Sequence, residues 1–568
     1  MSAPTRTPAP TAAPTSAGGR LAAALRAALR SAVVGSAALR SAALRAGALR
    51  VAGLPAVLAL AAVARLTYLG GDRANFNGDE AVTGIMVRHI LRGEGFLFYP
   101  GQRYGGTLEV YLQALGYLVF QLPQNPLTLR LAQVALSVAS TALVYLCARR
   151  MLPGGRRRRA LFAAAFFAVG PWFNLVGGAT AWGFYSVGVT LGLCALYCGL
   201  RLGTGRRGTL RRGTLRLGAD RSRDAAWAFG LGLCAGLGFW NSLTSAYLVL
   251  PGFIWAMPYL IRRASGFAAV LGAVAGAAPA LVFVLRSGEL PLPTAPDRQV
   301  GFGQRVANLT DPLLRQFLGI AYAHGDGGLP RPVQYLILAG VAAAYLGCLW
   351  RRRRGLATLL GLRQGGREPV DLLLVAPVLV AVLYVATSMA WYTGTPRYLF
   401  TAYPLLALSV AALLPYRSPV AASVVYAAVL SLSAALSLGF FRTAPHPSLA
   451  GRDAVLRRVV AHLVSEHETH VYADYSTGMA LQYLAGDRLD VAICYGATRF
   501  AEQRARVRAT PDPVYVDSPL AGSGLLDDPP DTIGTALLAN HATFRTTRIG
   551  FVTIYDRVTL PRPPAFCR

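Results

Sequence analysis

From residue 51 to residue 439 the sequence runs through eleven apolar stretches of about 17 to 25 residues, near 51–70, 128–148, 160–177, 182–201, 225–241, 243–261, 266–285, 334–350, 371–390, 398–415 and 419–439. A helix needs about 20 such residues to cross about 30 Å of hydrocarbon, and inside lipid every backbone polar group must be satisfied within the fold. The stretches therefore predict a polytopic α-helical membrane protein with about eleven transmembrane helices. Composition agrees, with 54% hydrophobic residues, 14% charged residues and a mean hydropathy of +0.42, an apolar excess beyond that of an ordinary soluble domain.

The net charge is +30, and all 56 basic residues are Arg. On a soluble chain such a surplus suggests nucleic acid. Here the arginines sit in short clusters between apolar runs, the pattern of cytoplasmic loops, so no nucleic-acid partner is expected. With the N-terminus inside, "RRMLPGGRRRR" from Arg149, "RLGTGRRGTLRRGTLRLGADRSRD" from Arg201, Arg262 with Arg263, "RRRRG" from Arg351 and the turn at Arg417 all fall on the cytoplasmic side. This holds only if "TLEVYLQALGYLVFQL", Thr107 to Leu122, does not cross. That stretch is short for the bilayer and carries Glu109 and Gln113 early, so it is expected to lie at the interface or re-enter. An odd number of spans then puts the C-terminus outside.

The chain thus falls into three regions. Residues 1–50, acid-free and repeating a Leu-Arg dipeptide, read as a disordered basic cytoplasmic tail, with a transit peptide as the alternative. Residues 51–440 form the membrane region, with an outer loop at 71–127. Residues 441–568 alternate helix-like and strand-like patterns, from "DAVLRRVVAHLVSEH" and "HVYADY" to "PVYVDS" and "FRTTRIGFVTIYDRV", which predicts an extracytoplasmic α/β domain with an accessory or acceptor-handling role. Cys494 and Cys567 both fall there, and an extracytoplasmic setting would permit a disulfide between them. Cys194 and Cys198 share one face of an apolar helix and read as packing. An Ala-, Arg- and Gly-rich, Lys-free composition looks like that of a high-GC bacterium.

The first acidic residue of the chain is Asp72, and "NFNGDEAVTG" soon places Asp79 beside Glu80 at the start of an amphipathic pattern, Val82, Ile85, Met86, His89 and Ile90. Acids at a helix start cap free N–H groups. One carboxylate suffices for that, and two at a water–membrane boundary point to proton transfer, with one residue acting as base and its neighbour orienting. Positive partners for an anion are Arg103 with Tyr104 in the same loop, Arg130 near a span end, and Arg397 with Tyr398 in "YTGTPRYLF". Each alone reads equally well as a side chain snorkelling to headgroups. Together they would hold a lipid-linked phosphate whose tail stays in the bilayer. His89 reads as packing, with no second ligand at metal spacing, so no cofactor is expected and a divalent metal is the one addition left open. The Gly/Pro-rich stretch from Arg286 to Gln334 reads as a substrate lid or a connector.

In order and placement, "GDEA", "QRYGGTLEVYLQALGYLVF", "NPLTLRLAQVALSVASTALVYL" and "GTPRYLFTAYPLLAL" resemble the polytopic GT-C glycosyltransferases, in particular the family 39-like group of protein mannosyltransferases, aminoarabinose transferases and galacturonosyltransferases. The resemblance implies a sugar transferred from a polyprenyl-phosphate donor to an extracytoplasmic lipid, glycan or protein, with inversion. It implies that Asp79 deprotonates or polarises the acceptor hydroxyl, that Glu80 positions it, and that Arg397 with Arg130 or Arg103 stabilises the departing phosphate. Where aminoarabinose transferases carry a charged Glu-Lys-Pro element this chain reads "YGGT" from Tyr104, so that element's role does not carry over and Glu109 is its nearest acid.

Two other classes compete. A transporter or flippase would place charges near the bilayer midplane and repeat its halves, and neither sign is in the sequence. A non-catalytic scaffold would leave the acid pair without work.

Overall fold

The computed structural model describes residues 53–69, 76–154, 156–202, 217–261, 263–292, 300–323, 328–361, 367–414, 418–443, 451–495, 498–518, 532–560 and 567. The expected basic tail, the Arg-rich loop at 203–216, Asp72, Arg262 and Arg417 lie outside them. The chain divides into two units, Met1–Ala56 and Val57–Arg568, and the long helices and both sheets belong to the second.

Among the described residues, seven helices are long and apolar enough to cross a membrane: Pro126–Met151, Tyr185–Leu202, Leu243–Leu260, Ala264–Ser287, Arg331–Leu359, Pro369–Ala386 and Pro419–Arg442. They coincide with seven of the eleven stretches, and the chain is a multi-pass membrane protein. The other four stretches take different forms. Gly53–Leu69 and Arg397–Leu413 are shorter apolar helices. The 160–177 stretch splits at Gly170–Pro171 into Arg156–Val169 and Trp172–Gly177, because proline cannot continue the first helix and starts the second. The fourth is the 25-residue helix Leu217–Asn241. The segment expected not to cross is Leu108–Phe120, 13 residues or roughly 20 Å of helix, too short for the hydrocarbon. The long helices turn large apolar side chains outward, among them Leu336, Leu346, Trp350 and Phe267, which is where lipid tails would lie.

Small residues set one close helix pair. In Leu217–Asn241 and Arg263–Ser287, Gly232 and Gly236 face Ala269 and Ala273, while Gly272 and Gly276 face Phe229 and Leu233. A methyl at any of these four glycines would lie within 2.3 Å of a backbone carbonyl oxygen across the pair. The helices thus meet backbone to backbone, the small-xxx-small contact that replaces the hydrophobic effect in lipid.

Helix Gly78–Leu91 follows Asn77, whose side chain caps the Glu80 amide while the Glu80 carboxylate reaches back to the Asn77 amide at 3.4 Å. A small antiparallel pair, β1 (Phe98–Tyr99) and β2 (Gln102–Gly106), leads into Leu108–Phe120. Gly106 is seated where a side chain would strike the Trp240 carbonyl, and this fixes the loop against the helices.

After the last long helix, the C-terminal region forms a five-stranded sheet from β3 (His470–Asp474), β4 (Asp490–Tyr495), β5 (Val514–Asp517), β6 (Thr543–Ile549) and β7 (Val552–Thr559). The order is β4-β3-β5-β7-β6, parallel among the first three and antiparallel at the β7 end. The final strand-like pattern of the sequence is thus a hairpin, turned at Gly550 with φ +63°. Helices Arg452–Ser465, Tyr475–Ala485, Ala501–Ala509 and Thr532–Ala539 complete the α/β arrangement. Cys494 and Cys567 form a disulfide across 73 residues of sequence.

Helix Tyr475–Ala485 lies against helix Gly78–Leu91. Side chains at Gly78 and Gly84 would overlap the rings of Tyr475 and Tyr483, so the absent side chains admit the two tyrosines. At the rim, Arg88 and Arg92 both pair with Asp487, at 3.1 and 2.6 Å.

Candidate active site

Asp79 sits in the first turn of Gly78–Leu91, at the contact between the helical region and the C-terminal domain. Arg397, at the start of Arg397–Leu413, donates from Nη2 to Oδ2 at 2.5 Å. The other oxygen, Oδ1, accepts from the Tyr475 hydroxyl at 2.7 Å and from Arg499 Nη2 at 3.3 Å. Arg499 also donates from Nε to the Tyr475 oxygen at 2.9 Å, so Arg499, Tyr475 and Asp79 form a closed triangle. Arg397 donates from Nε to Tyr185 at 3.1 Å and lies over the Trp182 and Tyr185 rings. Burial alone would raise the Asp79 pKa, but Arg397, Arg499 and the Tyr475 hydroxyl outweigh it and hold the carboxyl below its ordinary value. Asp79 is an ionised carboxylate in a nearly closed site, its side chain 12% exposed.

Two guanidiniums against one carboxylate leave one excess positive charge among these three groups. A buried charge without a counter-charge is costly, so such a site suits an anion. Aromatic rings surround it. Tyr398 lies beside Tyr185 and Tyr392, and Tyr104 meets the Phe184 ring edge to face.

Glu80 points elsewhere. It is fully buried and accepts both Arg130 Nε at 2.7 Å and Arg130 Nη2 at 2.6 Å, plus the Ala181 amide at 3.0 Å. The adjacent acids therefore divide: Asp79 meets the arginines of the site, while Glu80 ties the first turn of its helix to the helix Pro126–Met151 and to the 178–184 loop. Arg130 is held by that pair rather than beside Asp79. Arg103 pairs with Glu289 at a half-exposed rim and is not brought to Asp79 either.

Glu109 is buried in the first turn of Leu108–Phe120, where Gln133 Nε2 donates to its Oε1 at 2.6 Å. Burial pushes its pKa up to about 8, only partly offset by Gln133 and the amides of Gly183, Ser186 and Val187, so at neutral pH it holds a proton. Among the described residues no group of three or more His, Cys, Asp or Glu is placed to hold a metal.

Two residues at Asp79, Tyr475 and Arg499, come from the domain to which the sequence assigns accessory work. Both follow carboxyl ends of parallel strands, Tyr475 directly after β3 and Arg499 four residues after β4. Strand β3 lies between β4 and β5, so the chain reverses direction across the sheet at this point. Open α/β sheets bind ligands at such a reversal, and that rule, applied to the strand-like "HVYAD", points to Tyr475, whereas Arg499 follows the edge strand and carries no such signal.

No family model and no curated protein match the chain. Among solved structures, the chain is similar to apo ArnT from Cupriavidus metallidurans, with 14% identity over 84% of this chain and 93% of that one at a TM-score of 0.46. It is also similar to the apo Archaeoglobus fulgidus oligosaccharyltransferase, with 14% identity over 83% of this chain and 70% of that one at a TM-score of 0.43. A third similar structure is the oligosaccharyltransferase AglB of the same organism in complex with an inhibitory peptide and a dolichol-phosphate, with 13% identity over 76% and 63% at a TM-score of 0.39.

Proposed function

We propose that this protein is a GT-C-type membrane glycosyltransferase that moves a sugar from a polyprenyl-phosphate carrier to a hydroxyl acceptor outside the cytoplasmic membrane. The observation that carries the reading is the ionised Asp79 carboxylate held against Arg397 where the helical bundle meets the C-terminal domain. A base and an anion-binding fork side by side are what direct displacement at a phosphorylated anomeric carbon needs. The acceptor oxygen bonds to that carbon, and the bond from carbon to phosphate oxygen breaks with its electron pair leaving on the phosphate. The acceptor proton passes to Asp79. The donor phosphodiester carries one charge and the released monoester about two, so a fixed guanidinium stabilises the transition state more than the ground state. Attack from the face opposite the phosphate inverts the sugar. The apolar helices provide the surface along which a polyprenyl tail would lie, which favours a lipid-bound donor over a soluble nucleotide sugar.

The test is transfer of labelled sugar from a panel of synthetic polyprenyl-phosphate sugars to membrane extracts, by the purified protein and by Asp79→Asn. Wild-type transfer that falls by on the order of 10²–10⁴ in the variant is expected for loss of a positioned base. Asp79→Asn should also bind polyprenyl phosphate at least as tightly as wild type, because it removes the carboxylate that competes for Arg397. Equal turnover by the two proteins would remove Asp79 from the chemistry.

A further inference from the structure

The site holds a contradiction if Asp79 works as a base. Both of its oxygens are occupied, Oδ2 by Arg397 and Oδ1 by Tyr475 and Arg499. Its pKa is held down by the same cations, so as it stands the carboxylate is a poor proton acceptor, and Oδ1, with two donors on it, has no lone pair left for a hydroxyl.

Arg499 is also an odd residue for a soluble domain. Its side chain is 4% exposed, and it lies after β4 at the edge of the sheet that faces Asp79, 420 residues away in sequence. Its guanidinium lies over the Tyr475 ring, and its remaining hydrogen bond among the described residues is a long one, from Nη1 to the Pro100 carbonyl at 3.4 Å. The chain is shaped to admit it. Gly101, at φ +69°, has no side chain where one would strike the Thr498 carbonyl, one residue before Arg499. At the rim Arg88 and Arg92 also share one acid, Asp487, but there the Arg92 side chain is 53% exposed and water screens the surplus charge. At Asp79 the surplus is buried, with the Arg397 and Arg499 side chains 16% and 4% exposed.

We infer that Arg499 is a catalytic residue supplied by the C-terminal domain: it binds the donor phosphate opposite Arg397, and in moving from Asp79 to the phosphate it uncovers Oδ1 for the acceptor hydroxyl. The inference rests on the transferase reading and adds a residue and an order of events to it. The phosphate of the donor takes up the excess positive charge, and two forks meet the charge that builds on it as the glycosidic bond breaks. Handing the cations to the phosphate restores basicity to Asp79 when the donor is in place and not before. Tyr475 stays hydrogen-bonded to the carboxylate and positions it. Donor then binds before acceptor, and the free enzyme is guarded against proton transfer to no purpose.

The experiment uses the full chain in detergent, with binding of undecaprenyl phosphate and transfer from the donor that the wild type uses. Arg499→Ala should lose at least about 10-fold in undecaprenyl phosphate affinity and about 100-fold in turnover. Arg499→Lys, which keeps the charge but not the fork, should recover part of both. Arg92→Ala, which removes a rim ion pair of the same domain contact, should leave both near wild type and so separates docking from phosphate binding. Added undecaprenyl phosphate should inhibit competitively against donor and non-competitively against acceptor. Arg499→Ala with wild-type phosphate affinity and turnover would overturn the inference while leaving the transferase reading intact. Should the alanine variant fail to fold, wild-type affinity and turnover in Arg499→Lys would overturn it equally. A wild type that neither binds undecaprenyl phosphate nor transfers sugar would end both readings.

Discussion

Replacing Glu80 by Ala should unfold this protein before it disables it. The carboxylate has no exposed surface and accepts two nitrogens of one guanidinium and the Ala181 amide, while the Arg130 side chain is 6% exposed. Removing one partner of a buried ion pair costs about 3–5 kcal/mol, because the other charge stays buried. An orphaned amide adds about 1–3 kcal/mol, and the two overlap rather than add. A loss near 5 kcal/mol is a large share of the roughly 5–15 kcal/mol that holds a typical fold. The two sides of the pair are unequal. Arg130→Met leaves Glu80 accepting from the Ala181 and Asn77 amides, whereas Glu80→Ala deprives both amides of their acceptor and leaves a guanidinium that keeps its charge with fewer partners. Glu80→Ala should therefore be the worse single variant. Glu80→Gln combined with Arg130→Met removes both charges and keeps an acceptor for Ala181, so it should recover most of the stability and retain sugar transfer. Fluorescence-detected size exclusion after heating measures the first quantity and labelled-sugar transfer the second. A Glu80→Ala protein with wild-type heat resistance and no activity would refute this argument and return Glu80 to the acceptor site.

Two more outcomes rest on single features. Glu109 binds its proton more tightly in the folded protein than in the unfolded chain, so its contribution is complete below about pH 4.5 and is lost as pH rises toward about 8. The melting temperature in detergent should fall across that window in the wild type, and Glu109→Gln should flatten the fall; an unchanged slope would place another group there. Cys567→Ser opens a covalent loop spanning 73 residues, worth about 4 kcal/mol in the chain-entropy account. Heating or mild proteolysis of the variant should cut first within the C-terminal domain, and equal resistance of the two proteins would assign the stability to the sheet alone.

Much of this was legible because lipid permits few solutions. Seven long apolar helices stand where apolar stretches stand, and the short Thr107–Leu122 segment is a helix too short to cross. Asp79 stood out as one of the first acids after a long acid-free start, and Arg397 stood out at the head of an apolar run. What sequence could not decide was pairing. Glu80 and Arg130 are 50 residues apart, and either acid of the adjacent pair could have met either arginine. The rotation of one helix, fixed by the Asn77 cap and the small residues Gly78 and Gly84, settled which acid faces which. Arg499 was hidden differently, as one arginine among 56 whose meaning comes from a strand end folded back across 420 residues.

The glycine contact between Leu217–Asn241 and Arg263–Ser287 bears on how tolerance to substitution would map onto this protein. Four positions there have room for a hydrogen atom and nothing more, since a methyl would be driven into a main-chain oxygen of the opposite helix. A complete substitution survey should thus return two intolerant zones of unlike kind. One would be drawn by charge around Asp79 and would distinguish Asp from Asn. The other, in the helix pair whose glycines meet opposing main chain, would reject alanine as firmly as aspartate, and intolerance there would report the distance between two backbones, not chemistry.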